Sequence, residues 1–223
     1  MTIQESLDFL NFWINKYTGA WYTIPELETI MDRGQLSLFE DLQPQYATNQ
    51  RIKDALAPFR VVYPFTSDPG QDLTVPDDDY MNLLSLNITY TQGGRTIHFP
   101  VKMYNEDELA HRLMSQIDPV TEFEPIGEVI GVGVFNLYPL NENYTGEVTY
   151  FKRPEKIDIV YTYVNRVLTI NEIASTGISF TENWQNAVLM KALSSVGINI
   201  GEQDVMQYAE MKNQSNFLGQ NMV

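Results

Sequence analysis

The sequence predicts an α+β protein, with a central antiparallel β-sheet or sandwich flanked by N-terminal and C-terminal helical segments. Three observations predict it. Apolar residues recur at helical spacing before residue 58 and again after residue 181. Between those segments the period drops to two, in runs separated by Gly, Pro and Asn turns. The runs follow one another through short turns, the pattern of antiparallel sheets rather than of βαβ units. Of 223 residues, 43% are hydrophobic, enough for one sizeable core or two small ones and too many for a disordered chain.

The N-terminal helical segment covers residues 1–58. Thr2-Ile3-Gln4-Glu5 has capping-box spacing, in which the hydroxyl accepts from the third helical N–H and the carboxylate reaches back. Ile3, Leu7, Leu10, Ile14 and Tyr17 then form one stripe, and Gly19 ends it. Thr23-Ile24-Pro25-Glu26 repeats the signal, with proline where a first turn tolerates it. Leu27, Ile30 and Met31 carry that helix toward Gly34. A third, shorter helix is expected from Asn49 to Ala57, closed by Pro58.

The β-rich central domain is expected over 59–175. Arg60 to Thr66 is β-branched and aromatic, and Ser67-Asp68-Pro69-Gly70 is a turn. Leu84, Leu86, Ile88 and Tyr90 alternate with polar residues, as do Ile97, Phe99, Val101 and Met103, and Gly93-Gly94 between them makes a hairpin. Asn105-Glu106-Asp107-Glu108 opens an inserted helix over 105–117, with Leu109, Leu113 and Ile117 on its apolar side, stopped by Pro119. Further strands are expected at 128–138, 146–152, 157–163 and 166–171. The C-terminal helical segment covers 176–223. Trp184, Val188, Leu189, Ala192 and Val196 line one helix that stops at Gly197, and Val205, Tyr208, Ala209 and Phe217 line a last one over 202–217.

The charge balance narrows the function classes. Fourteen Lys and Arg stand against 29 Asp and Glu, a formal net charge of −15, which argues against a general nucleic-acid binder. The absence of cysteine excludes disulfides, a thiolate zinc site, an iron–sulfur cluster and a cysteine nucleophile. Glu5 and Asp8 interrupt the first apolar pattern, so no signal peptide is expected, and no run approaches the ~18 apolar residues of a membrane span. Synthesis in a reducing cytoplasm is therefore expected. Residues 105–128 hold seven acids against one Arg. Residues 151–166 are locally basic, with Lys152, Arg153, Lys156 and Arg166 against Glu155 and Asp158. The two stretches are either complementary surfaces on neighbouring copies or two solvated faces of one molecule.

Candidate chemistry is sparse. Gly127, Gly131 and Gly133 match neither a dinucleotide fingerprint nor a Walker loop and read as glycines of a twisted or closely packed strand. Glu108 and His111 have the spacing of half a di-metal site, but His98, the only other histidine, lacks the second half. Asp77-Asp78-Asp79, with Asp72 nearby, has no EF-hand spacing. Ser37, Ser85, Ser115, Ser194 and Ser195 sit in no nucleophile elbow. No catalytic residue, metal or cofactor is expected. The 13 tyrosines, 11 phenylalanines and three tryptophans are the stronger feature, because amphipathic rings suit interfaces as well as cores.

Several stretches carry a family resemblance. They are Tyr150-Phe151-Lys152-Arg153-Pro154, Ile159-Val160-Tyr161-Thr162-Tyr163, Trp184, the run from Lys191 to Ile200, and Val205-Met206-Gln207-Tyr208-Ala209. Ala57-Pro58-Phe59 and Pro76 to Tyr80 fit more loosely. Together they resemble ring proteins of crAss-like tailed bacteriophages, which stack below the portal to build the head–tail connection and tail barrel. The resemblance implies a non-enzymatic virion protein in a ring of commonly twelve copies, touching the portal and neighbouring ring or tail proteins. DNA would pass through the channel without specific binding during genome ejection. Twelve such chains would carry −180, twelve times −15, a lumen that repels phosphates. Lys152, Arg153, Tyr161, Tyr163, Trp184 and Tyr208 are the candidate subunit-interface residues. The rival reading is a monomeric carbohydrate- or protein-binding module with an open aromatic groove.

Overall fold

The structure, a computed structural model, describes residues 1–75, 80–92, 95–115, 119–140, 142–164 and 167–198. It is α+β. Three helices come first: α1 (Ile3–Thr18), α2 (Ile24–Leu42) and α3 (Gln50–Leu56). Strands β1 (Arg60–Ser67), β2 (Leu73–Thr74), β3 (Tyr80–Gln92), β4 (Arg95–Pro100) and β5 (Lys102–Tyr104) follow. After α4 (Glu106–Leu113) come β6 (Ile126–Gly131), β7 (Val134–Tyr138), β8 (Tyr144–Lys152), β9 (Tyr161–Val164), β10 (Val167–Ile170) and α5 (Glu182–Ser195). The chain forms two units, one of residues Met1–Pro58 with the chain from Pro154 onward, the other of Phe59–Arg153.

In the helical unit, local chemistry starts each helix. The Thr2 hydroxyl accepts from the Glu5 N–H at 3.1 Å, and the Glu5 carboxylate accepts from the Thr2 N–H at 3.0 Å. The Glu26 carboxylate accepts from the Thr23 N–H at 2.7 Å and its hydroxyl at 2.8 Å. Those bonds, the backbone one first, hold the Glu26 carboxyl below the usual carboxylate range. The stripe of α1 buries Leu7, Leu10 and Ile14, with Phe9 and Trp13 beside it. Helix α2 does not stop at Gly34 but continues to Leu42. A Cβ at Gly34 would stand 2.7 Å from the Val188 carbonyl and the Ala192 nitrogen, so this glycine lets α2 and α5 touch backbone to backbone. On α5, Val188, Leu189, Ala192 and Leu193 are wholly buried.

The chain after Pro154 joins this core. Ile157 and Ile159 pack with residues of α1, α2 and α5. One face of α2 presents Glu28, Asp32 and Gln35. The Glu28 and Asp32 carboxylates accept from the Ile159 and Ile157 N–H groups, each at 2.7 Å, and the Gln35 amide donates to the Glu155 carbonyl at 2.6 Å. A helix therefore supplies the acceptors that a neighbouring strand would supply in a sheet. For that reason the boundary expected at residue 175 lies at Pro154, and the strand expected from 157 begins only at Tyr161.

The β unit holds two four-stranded sheets around one core. The first, in the order β1-β8-β3-β4, is antiparallel throughout. The second, β2-β7-β6-β5, contains one parallel pair, β5 with β6, where the sequence reading is antiparallel only. Pro100 explains the change. The single strand expected over Thr96 to Tyr104 divides there, because proline has no N–H to extend the ladder. Val101 still donates to the Leu86 carbonyl at 2.8 Å, and β5 then pairs in the other sheet. The strand expected over 128–138 is a hairpin turning at Gly133, whose φ of +67° few other residues adopt. Phe65, Leu86, Ile88, Val148 and Tyr150 of the first sheet share a buried cluster with Leu73, Phe135 and Leu137 of the second, which is sandwich packing. Helix α4 is shorter than the expected 105–117. Leu109 is buried but Leu113 is exposed, and Ile117 lies outside the described residues, as do Gly93-Gly94, Asp77-Asp78-Asp79 and the helix expected over 202–217.

Candidate functional site

Strands β9 and β10 form a two-stranded antiparallel ribbon, with Tyr161 opposite Ile170 and Val164 opposite Val167. It grows out of the extended segment that α2 holds. Side chains at 157, 159, 161 and 163 alternate onto one face, and their exposure climbs along it: Ile157 2%, Ile159 3%, Tyr161 36%, Tyr163 69%. The chain keeps its alternating apolar pattern while leaving the core. Val164 and Val167, on the opposite face at the ribbon's end, are also exposed. The Tyr161 and Tyr163 rings meet edge to face with centroids 6.0 Å apart. At the ribbon's base the Ser175 hydroxyl accepts from the Val160 N–H at 2.8 Å and donates to the Asn171 carbonyl at 2.7 Å. The Glu172 carboxylate accepts from the first N–H groups of α1, Ile3 and Gln4, at 3.4 Å each. The base is tied down, and among the described residues Tyr163, Val164 and Val167 toward the end are exposed.

The other predicted interface residues are distributed differently. Lys152 closes β8 and is half-buried, opposite Tyr80, and Arg153 next to it is exposed. Trp184 is half-buried on α5 with the Arg51 guanidinium 5.3 Å from its ring, so its face meets a neighbour within its own unit. Tyr208 lies outside the described residues. Of the six, Tyr161 and Tyr163 form one continuous exposed feature. Sequence reading passed over Val164, Val167 and Leu168, although the uncharged alternation Tyr-Thr-Tyr-Val and Val-Leu-Thr-Ile is a readable signal. A smaller exposed apolar tip, Val129, Ile130 and Val132, marks the β6–β7 turn in the other unit.

No group of three or more His, Asp and Glu among the described residues is placed to hold a metal ion. His98 lies 3.3 Å from the Thr89 hydroxyl on an exposed strand face. A groove of about 700 Å³ beside Tyr104 and Val129 includes Glu128. That carboxylate is already engaged, accepting from the Tyr138 hydroxyl at 2.9 Å and the Asn136 amide at 3.3 Å. Burial first, and then that carboxylate, push the Tyr138 phenol above its ordinary value. A second groove of about 440 Å³ runs beside β1 past Tyr63, Gln71 and Asp72. None of the described helices is long and apolar enough to cross a membrane.

The fold and ribbon together define an α+β protein with an exposed, uncharged strand pair among its described residues. No family model matches the chain, and no curated protein matches it.

Proposed function

We propose that this chain is a structural protomer, copies of which assemble into a ring around the DNA channel at the head–tail junction of a tailed bacteriophage, below the portal. One observation carries the assembly part of this reading: the β9–β10 ribbon, tied at its base and exposed in its apolar residues toward the end. A two-stranded hairpin in water is only marginally stable, so such an element gains from a partner. The place in a virion rests on the resemblance of the 150–163 and 184–209 stretches to ring proteins of crAss-like phages. The net charge of −15 supports it, because a ring of such chains presents a negative field that does not hold DNA phosphates. The binding-module alternative needs an open aromatic groove, and the grooves beside Tyr63 and Tyr104 include two and one aromatic residues, respectively, with polar and aliphatic neighbours.

Sedimentation velocity and negative-stain imaging of the purified full chain, alone and with a portal, test the reading. Annular particles of uniform diameter are expected. A chain that stays monomeric across the accessible concentration range in both settings sinks it.

A further inference from the structure

We infer that the ring contact is made by strand addition: the open edge of β9 in one copy pairs, antiparallel, with the open edge of β10 in the next copy. The inference rests on the ring reading above and names its contact.

The backbone shows which groups are open. Successive residues of an extended strand turn their N–H and C=O to opposite edges. Along this segment the even residues face the returning chain. Asp158 exchanges bonds with Thr176, Asn171 donates to the Val160 carbonyl at 2.8 Å, and 162 and 164 fall in the same phase opposite 169 and 167. The odd residues face the other way. There α2 takes the N–H groups of Ile157 and Ile159, and its carboxylates stop at that point. Tyr161 and Tyr163 continue the same edge and have no strand beside them among the described residues. By the same phase, Leu168 and Ile170 turn their backbone groups to the outer edge of β10. Among the described residues, each edge thus offers two residues without a strand partner on that side, at matching spacing, and the register that joins them sets Tyr163 against Leu168 and Tyr161 against Ile170 of the next copy.

The sequence protects other edges and leaves these two bare. The outer strands of the first sheet carry the usual guards, Arg60 and Pro64 on β1, Arg95 and Pro100 on β4. The outer strands of the second sheet, β2 and β5, are two and three residues long. The eight strand residues of the ribbon contain no charge and no proline. Exposed, unguarded edges invite pairing, and the occupant that fits both at once is another copy of the same ribbon. Two-fold pairing of β9 with β9 would leave every β10 edge open. Head-to-tail pairing of β9 with β10 covers both edges in every copy, and it closes only as a ring.

The cysteine-free chain makes the test direct. Tyr163→Cys and Leu168→Cys are made as separate full-length proteins, mixed, assembled and oxidised. Opposed residues of an antiparallel pair lie within disulfide reach. A covalent dimer from the mixture, and none from either protein alone, is the expected result. Tyr163→Lys should abolish assembly while leaving the melting temperature unchanged. Rings that form without this cross-link, or a cross-link from mixed Tyr161→Cys and Tyr163→Cys proteins instead, overturn the ribbon contact and leave the ring reading standing. A wild-type chain that forms no rings at all overturns both.

Discussion

Replacing Gly34 by alanine separates two effects of opposite sign. Within a helix, alanine is better than glycine by about 1 kcal/mol. Against that, the new Cβ would stand 2.7 Å from the Val188 carbonyl and the Ala192 nitrogen and 2.8 Å from the Ala192 Cα. Comfortable contact begins near ~3.5 Å, so α2 and α5 must part by roughly 0.8 Å. The atoms in the way are backbone, which cannot rotate aside. Overpacking of this kind costs ~1–3 kcal/mol, and here the upper part of that range applies. The gap also loosens Val188, Leu189, Ala192 and Leu193. The net expectation is a loss of about 2 kcal/mol, or a urea midpoint lower by ~1 M at an ordinary slope. All three tryptophans, Trp13, Trp21 and Trp184, lie in the helical unit, so their fluorescence reports on this unit. A peptide spanning residues 24–42 should show the reverse, becoming more helical with alanine. If Gly34→Ala raises the midpoint of the whole chain, the close crossing of α2 and α5 is wrong.

Two further predictions follow from the hydrogen bonds. Glu28→Ala leaves the N–H of the buried Ile159 without its acceptor and should cost ~1–3 kcal/mol, whereas Glu28→Gln keeps an oxygen there and should cost less than half as much; equal losses in tryptophan-monitored unfolding would refute the helix-to-strand bond. Burial first, then the negative charges of ionised Tyr90, Glu142 and Glu122, raise the Tyr144 phenol above its ordinary value. The unfolded chain releases this proton near pH ~10 while the folded chain keeps it, so the contribution is full below pH ~10 and is lost as pH rises beyond it, by at most ~1.4 kcal/mol per pH unit. Tyr144→Phe, which also removes the 2.9 Å bond to the Pro139 carbonyl, should flatten that alkaline decline, and an unchanged slope counts against the assignment.

What was legible in the sequence is what short-range geometry decides. Thr2 with Glu5 and Thr23 with Glu26 need only three residues of spacing to define a helix start, and both are found in place. Gly34 looks like a stop because the residue that gives it another purpose, Ala192, is far along the chain. Pro100 and Gly133 are ordinary punctuation, yet the alternation of apolar residues runs across both and hides a sheet change and a turn. Ile157 and Ile159 read as strand, correctly extended, but nothing local reveals that their partners are carboxylates on a helix. The ribbon shows the limit most clearly. Tyr161 and Tyr163 continue the period of two buried isoleucines, and the pattern is the same whether or not anything covers it.

Charge and ribbon act at different ranges, and that division makes the assembly reading physically coherent. At −15 per copy, free chains repel one another across about a Debye length, ~8 Å at physiological salt. That repulsion discourages indiscriminate contact through the acidic surfaces, such as the Glu106-Asp107-Glu108 turn of α4. It does not penalise the ribbon strands in contact, because β9 and β10 carry no charge to oppose or to desolvate. A single strand pair contributes only a few ladder bonds of ~1 kcal/mol each, so one contact alone is weak. Closure changes the balance: the last copy forms two contacts while losing the freedom of one molecule, and a closed ring outcompetes open chains. Under the proposed ring contact, weak contacts between like-charged copies would thus favour complete rings over partial ones.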